Sequence, residues 1–227
     1  MKVVILTAMD KELSLVLNIL ENPKEDTIDG NKIYRGKSGI HEVILAKCGI
    51  GKVNAAVKTF SIISHERPEL VINSGVAGGA GLPVGATLVA DKVAYDDVWC
   101  GTGTEFGQAD GCPLFFSPHQ IVIDKAKECL KDANIHYGLI CSGDTFISSP
   151  EEIAFIRSKF PQVKAVDMES ASIAQVCFLT NTPFSIVRVV SDTPGEGENI
   201  SQYKDFWKTA PEKTFETVKA LINNLDL

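Results

Sequence analysis

The sequence lacks an excess of positive charge. Its 227 residues include 22 Lys and Arg against 29 Asp and Glu, which gives a formal net charge of −7 and a sequence pI of about 5.2. Proteins that bind nucleic acid through its phosphates normally present a basic face. We therefore expect no nucleic-acid partner.

Long apolar runs are also missing. No stretch of about 20 apolar residues occurs, so we expect no transmembrane helix and no membrane association. The apolar run in MKVVILTAMD at the N-terminus is too short for a signal peptide.

Cysteine occurs six times, but in no metal-binding or redox pattern. No C-x-x-C is present, and no histidine cluster accompanies the cysteines. A chain of this size buries roughly 70% of the surface that its unfolded form exposes, so it needs no disulfide or metal for stability. We interpret most cysteines as small core residues, and we expect free thiols, a cytoplasmic location, no metal and no cofactor.

Strand-like and helix-like segments alternate along the chain. Buried strands are predicted by β-branched runs such as KVVILTA, ELVINSG, VKAV and FSIVRVVSD. Helices are predicted for KELSLVLNILEN (11–22), HQIVIDKAKECLKDAN (119–134) and much of 201–225. We also predict a hairpin turning at 37–39, a glycine-rich turn at 75–81 and a long loop over 98–118. This alternation is typical of an α/β protein with a largely parallel or mixed sheet, which we expect to form one domain over residues 1–227.

Acidic residues follow three of the predicted strands. Glu12 follows the first strand, Asp167 and Glu169 follow VKAV, and Asp192 ends FSIVRVVSD. In open α/β sheets, ligands bind at the carboxyl ends of strands. Any one of these acids could instead cap a helix N-terminus and complement its dipole. Acids at three strand ends, with glycine-rich turns between, favour a binding site.

Neither glycine motif fits a nucleotide-phosphate site. GVAGGAG is not a G-x-G-x-x-G pattern, and GIGK (49–52) has Ala46 where a P-loop needs glycine and Val53 where it needs Ser or Thr. We interpret these glycines as points where the backbone closely approaches a ligand or a neighbouring strand.

Seven segments together resemble the 5′-methylthioadenosine/S-adenosylhomocysteine nucleosidases of the purine nucleoside phosphorylase-like superfamily. They keep the family's order and approximate spacing over nearly the whole chain: AMDKE (8–12), CGIGKVNAA (48–56), INSGVAGG (72–79), FGQADGCP (106–113), SGDTFI (142–147), VDMESASIAQVC (166–177) and VRVVSD (187–192). The resemblance implies a three-layer α/β/α fold around a twisted mixed sheet, and a homodimer. It also implies hydrolysis of the N-glycosidic bond of adenine thioribosides, a step of methionine salvage.

The resemblance further implies roles for individual residues. Glu12 would activate water, Glu169 would bind the ribose, and Asp192 would act on adenine N7. Four more residues would surround the nucleoside: Phe146 stacked on adenine, the backbone of Ile147 at its edge, Met168 under the ribose and Tyr203 over the base. The other substrate-binding residues would be Met9, Ile50, Val76, Ala77, Gly78 and Ser191.

The chemistry of this reaction requires acids in these roles. Adenine leaves as a neutral molecule only if N7 is protonated, and burial can raise the pKa of a carboxylic acid such as Asp192 enough for this. A fixed anion such as Glu169 stabilises the oxocarbenium-like charge on the sugar and accepts hydrogen bonds from two hydroxyls. Water needs a base, and Glu12 would accept its proton.

A purine nucleoside phosphorylase of the same fold is one alternative. Phosphorolysis needs an anion site, normally rich in arginine. The chain has only Arg35, Arg67, Arg157 and Arg188, and none lies in or beside a glycine-rich turn. We interpret Arg188, which shares a strand face with Asp192 if that strand is regular, as structural. We expect Asp167 to orient backbone or neighbouring groups rather than to act in catalysis.

Departures from the family leave the substrate open. Val76 stands where some members have serine. The loop over 98–113, which the resemblance predicts to line the neighbouring subunit's site, carries polar Thr102, Thr104 and Asp110. A futalosine-type nucleosidase is therefore a second alternative. A third is a non-catalytic purine-nucleoside-binding module, which would keep its ligand affinity without the three acids.

Overall fold

Nine strands and seven helices form the part of the chain that the computed structural model describes, residues 1–131, 134–196, 198–209 and 213–225. The strands are β1 (Lys2–Thr7), β2 (Glu21–Ile28), β3 (Asn31–Ser38), β4 (His41–Lys47), β5 (Leu70–Gly79), β6 (Thr87–Tyr95), β7 (Ile135–Ser142), β8 (Val163–Asp167) and β9 (Phe184–Asp192). The helices are α1 (Asp10–Leu17), α2 (Lys52–Glu66), α3 (Gln120–Cys129), α4 (Pro150–Lys159), α5 (Ser170–Leu179), α6 (Asn199–Thr209) and α7 (Lys213–Asn223).

The strands form one mixed sheet in the order β2-β3-β4-β1-β5-β8-β7-β6-β9. Strand β9 also pairs with β5, so that β5, β8, β7, β6 and β9 close into a ring. Strands β4, β1, β5 and β9 run parallel to one another, and β8 meets β5 antiparallel at Gly78 and Gly79. Because of this pairing, the carboxyl ends of β5 and β8 meet at one place.

Helices cover both faces of the sheet. Residues of α2 and α5 pack into one apolar core against β1, β4, β5 and β6, whereas residues of α1, α3 and α7 pack into a second core on the opposite face. Helix α4 packs on β7 and β8 in a smaller cluster. The predicted three-layer α/β/α architecture with a mixed central sheet is confirmed.

The first helix is shorter than its sequence pattern predicts. Helix α1 ends at Leu17, and the segment from Glu21 onward forms strand β2, which pairs antiparallel with β3. The predicted helix over 11–22 is therefore wrong after Asn18, because edge-strand pairing outweighs the helical spacing of the last residues. The hairpin between β3 and β4 turns at Gly39 and Ile40, where Gly39 has a φ of 56°.

The predicted glycine-rich turn at 75–81 is also largely wrong. Strand β5 continues through Gly75, Gly78 and Gly79, and these residues pair with β9 and β8. A β-carbon at Gly79 would overlap the carbonyl oxygen of Leu82, so the backbone can follow this path only with glycine at position 79. These glycines therefore serve close packing within a strand rather than a turn.

Some predictions fall partly outside the described residues. Asp132 and Ala133 of the predicted helix over 119–134, and Ala210, Pro211 and Glu212 of the helical C-terminal segment, are among these. In the described ranges, no helix combines the length and apolar character needed to cross a membrane.

Candidate active site

A cavity opens where the carboxyl ends of β1, β5, β8 and β9 meet. Its empty volume, which includes the solvent space at its open mouth, is about 610 Å³. All thirteen residues that the sequence assigns to the site line it: Met9, Glu12, Ile50, Val76, Ala77, Gly78, Phe146, Ile147, Met168, Glu169, Ser191, Asp192 and Tyr203. The structure thus brings together residues from positions 9 to 203 of the chain.

Glu12 is buried at the start of α1, with 1% of its surface exposed. Its Oε2 accepts hydrogen bonds from the backbone N–H groups of Ala8 and Met9, at 2.8 and 2.9 Å, and its Oε1 accepts one from Val76 at 2.9 Å. Glu12 therefore caps its helix and also faces the cavity. A carboxylate has about four lone-pair directions, so one on Oε1 is left for a further donor. Burial raises the pKa of Glu12, while the charge of Arg188 and the three N–H donors oppose the rise.

Glu169 stands between β8 and α5 and is also buried. Its side chain makes no capping bond to α5 and instead accepts from the Gly51 N–H at 3.1 Å. The φ of Gly51 is 91°, a conformation that favours glycine. The GIGK segment therefore has glycine at the point where its backbone approaches Glu169. Burial raises the pKa of Glu169 to about 7, and the negative charge of Asp167 adds to the rise.

A buried arginine lies behind these acids. Arg188 of β9 is 1% exposed, and its Nη2 lies 2.6 Å from Asp167 Oδ2, 3.5 Å from Glu169 Oε2 and 2.6 Å from Asn73 Oδ1. Asp167 also accepts from the hydroxyls of Ser142 and Ser170. Asp167 lines the cavity, whereas Arg188 does not. These contacts fit the structural role that the sequence suggests for Arg188.

Asp192 ends β9 and is 2% exposed. The pairing of β9 with β5 shifts register between Ala77 and Gly78, so Ser191 is an extra residue in β9. A bulge of this kind re-aims the following side chain, so Asp192 and Arg188 do not share a regular strand face. The Ser191 hydroxyl donates to Asp192 Oδ1 at 2.7 Å, and Asn199 Nδ2 donates to Oδ2 at 3.1 Å. Burial raises the pKa of Asp192, and these two hydrogen bonds oppose the rise.

Aromatic side chains form the outer wall. The ring centroids of Phe146 and Tyr203 are 5.8 Å apart, with their planes at 72°. Phe146 is 42% exposed, which leaves a face free for a planar ligand. The Tyr203 hydroxyl reaches the Met9 sulfur at 3.2 Å and so connects α6 to α1 across the cavity.

Sequence reasoning missed several contributors. Ala8, Thr145, Val166 and Pro194 line the cavity as well. Asn199 contacts Asp192 but carries no motif, and an asparagine at a helix start reads as an ordinary cap. Among the described residues, no group of three or more His, Cys, Asp or Glu side chains could hold a metal ion.

The fold and this cavity define the general class of the protein. The model of the phosphorylase superfamily matches residues 2–223 of the chain. A 5′-methylthioadenosine/S-adenosylhomocysteine nucleosidase of Lysinibacillus sphaericus is 39% identical over 231 residues, which cover 99% of this chain and 100% of that protein. The chain therefore belongs to the 5′-methylthioadenosine/S-adenosylhomocysteine nucleosidase family, as its seven motifs suggest.

Solved structures agree with this family. The S. pneumoniae 5′-methylthioadenosine/S-adenosylhomocysteine nucleosidase with a transition-state inhibitor, MT-ImmA, has a TM-score of 0.95 and 35% identity, covering 100% of both chains. The Neisseria meningitidis enzyme in complex with methylthio-immucillin-A has a TM-score of 0.92 and 39% identity, covering 99% of both chains.

Proposed function

We propose that this protein hydrolyses the N-glycosidic bond of 5′-methylthioadenosine and S-adenosylhomocysteine, releasing adenine and the thioribose. One observation carries the proposal: three buried carboxyl groups, Glu12, Glu169 and Asp192, line a single cavity. The names of full-length relatives at 36–39% identity support the same substrates.

Each acid has surroundings that suit a different step. Asp192 is a buried carboxyl whose pKa is raised, which favours the protonated form that donates a proton to adenine N7. Glu169 accepts hydrogen bonds from the ribose hydroxyls and stabilises the positive charge that develops on the sugar. Glu12 has a lone-pair direction left on Oε1, where it accepts the proton of the attacking water.

The nucleophile is water rather than phosphate. None of the described residues that line the cavity is Lys, Arg or His, so a phosphate dianion would meet carboxylates without a compensating cation. Arg188 lies close by, but it is buried behind the acids and already paired with Asp167 and Glu169.

The test is chromatographic detection of free adenine from methylthioadenosine, adenosylhomocysteine and adenosine, with and without phosphate. We expect adenine from the two thio-substrates at rates that phosphate does not change. Strict dependence on phosphate, with a ribose 1-phosphate product, would instead establish a phosphorylase.

Variants of the acids test their roles. Asp192→Asn and Glu12→Gln should each lower kcat by about 10²–10⁴-fold, the usual contribution of an acid or base. Both variants should remain folded, although Glu12→Gln turns its NH₂ group toward a backbone N–H and should unfold at a somewhat lower temperature. Asp10→Asn is the matched control, because Asp10 lies in the same first turn of α1 but is exposed and paired with Lys47. Near wild-type rates for both active-site variants would show that the assigned roles are wrong.

We further propose a homodimer that forms through α2 and the end of α5. Val53, Val57 and Phe60 form an exposed apolar stripe on α2, and Phe178 and Leu179 lie on the neighbouring α5. An exposed apolar surface of this kind marks an interaction site. The loop over 98–113, in which Trp99 is 64% exposed, would then reach the site of the partner subunit.

The six free cysteines support a reducing compartment, and we place the protein in the cytoplasm on that basis. There, hydrolysis of the two thio-nucleosides would serve methionine salvage.

A further inference from the structure

One buried amide contacts both the Asp192 carboxyl and the segment that carries Ile147. Asn199 is the first residue of α6 and is only 3% exposed. Its Nδ2 donates to Asp192 Oδ2 at 3.1 Å and to the main-chain oxygen of Ile147 at 3.1 Å. Helix α6 is thereby attached to two parts of the cavity wall through a single group.

The contact with Ile147 fixes the orientation of this amide. The NH₂ end of an asparagine side chain only donates, its oxygen only accepts, and a main-chain carbonyl oxygen also only accepts. A flipped amide would place two oxygens against each other at 3.1 Å. Nδ2 therefore faces Ile147, and its second hydrogen points to Asp192 whether or not that carboxyl is protonated.

The partner on the other oxygen of Asp192 is adaptable. The Ser191 hydroxyl lies 2.7 Å from Oδ1 and 3.3 Å from the main-chain oxygen of Ala77. It can donate to an ionised Asp192, or turn to Ala77 and accept from a protonated one. By contrast, the acidic proton cannot lie on the lone pair of Asp192 Oδ2 that accepts from Asn199 Nδ2.

We propose that Asn199 is a positioning residue for Asp192, fixing the plane of the carboxyl and keeping its proton on the side from which the nucleoside is reached. The proposal rests on the proposed function, in which Asp192 is the general acid. Asn199 itself contacts no reacting atom in this scheme and acts through Asp192.

Other ionisable groups also surround the cavity. Glu12 on α1, Asp167 and Glu169 at the end of β8, and Tyr203 on α6 line it together with Asp192, and Arg188 lies on the same strand. In the described part of the chain, the side chains that hydrogen-bond the Asp192 carboxyl are those of Ser191 and Asn199. Removing Asn199 should therefore change the titration of Asp192 more directly than that of the other acids.

The test is the pH dependence of kcat/KM for methylthioadenosine hydrolysis by Asn199→Ala. A general acid works protonated, so kcat/KM falls as pH rises through its pKa. Loss of a donor to the ionised carboxyl raises that pKa, and the falling limb should move upward by about one pH unit. At the plateau kcat should fall by about 10–100-fold, because the carboxyl is no longer held in position.

Gln202→Ala is the matched control. Gln202 lies on the same helix and also connects it to the β9–α6 loop, because its Oε1 accepts from the Thr193 N–H at 2.9 Å, but it does not touch Asp192. We expect its falling limb to stay where that of the wild type lies. An equal shift in Gln202→Ala, or an unmoved limb in Asn199→Ala, would overturn the inference.

A second variant covers the case in which Asn199→Ala does not fold. Asn199→Asp keeps the size of the side chain but places a second carboxyl beside Asp192, so the limb should again move to higher pH. A wild-type limb in this folded variant would also refute the role of Asn199. The proposed function fails separately, if Asp192→Asn retains wild-type turnover or if release of adenine requires phosphate.

Discussion

Replacing Arg188 by methionine should destabilise the protein strongly at neutral pH. Arg188 is 1% exposed and pairs with Asp167 at 2.6 Å and with Glu169 at 3.5 Å. Methionine fills a similar length but carries no charge, so both carboxyls would stay buried without a cation. Removing one partner of a buried ion pair costs about 3–5 kcal/mol.

The loss of unfolding free energy in Arg188→Met should increase with pH. Burial already raises the folded-state pKa of Glu169, and without Arg188 it rises further above the unfolded value, so the folded variant binds more protons there than the unfolded chain. A group of this kind contributes stability below its unfolded pKa and loses it as pH rises through its folded pKa. The deficit relative to wild type should therefore grow mainly above pH 7, where wild-type Glu169 ionises, by about 1.4 kcal/mol per pH unit while that carboxyl stays protonated in the variant.

Urea unfolding at pH 5, 6, 7 and 8, at one fixed protein concentration, measures this deficit. Arg35→Met is the control, because Arg35 pairs with Asp26 and Glu66 with a third of its side chain exposed. Arg35 contacts Glu66 through both Nη atoms, but Arg35 and Asp26 keep contact with water, so its loss should cost less than the loss of Arg188. The Asp26 and Glu66 carboxyls have lowered pKa values, so the control deficit should be constant from pH 5 to 8. If Arg188→Met matched Arg35→Met in size and pH dependence, the reasoning about the buried cluster would be refuted.

Three further predictions follow from the site and the surface. Gly75→Ala should lower kcat/KM by more than about 100-fold, since its β-carbon would overlap Arg188 Nη1 and lie 2.6 Å from Glu12 Oε1. Gly81→Ala, whose β-carbon meets nothing within 4 Å but whose φ is 96°, should lose some stability and keep most of the activity. The rising limb of kcat/KM should lie near pH 7, because Glu169 works ionised and burial raises its pKa to about 7; a limb that persists unchanged in Glu169→Gln would belong to another group. Val57→Glu should convert a dimer to a monomer in light scattering after gel filtration, and an unchanged mass would argue against the α2 interface.

The elements of the fold could be predicted where local pattern decides. The apolar runs of β1, β8 and β9 and the capped start of α4, with Pro150 at its first position, are set by neighbours in sequence. Strand β2 could not be found in this way, because its exposed polar sequence is ordered by pairing with β3. The need for glycine at position 75 could not be predicted from local pattern either. Gly75 lies opposite Arg188 in the β5–β9 register, and the arginine side chain occupies the space that a β-carbon would take.

The sequence by itself determined the acids and their places at strand ends, because a strand and the first turn after it are local in the chain. It could not determine the groups that shift the pKa values of these acids. Arg188 and Gly51 contact Glu169, and Asn199 contacts Asp192, in each case from another element of the fold. Those contacts depend on the pairing of β5 with both β8 and β9 and on the bulge at Ser191, and both arise only when the sheet closes. Burial of charge is a property of the assembled core, so the tertiary structure alone decided the direction in which the pKa of Glu12, Glu169 and Asp192 is shifted.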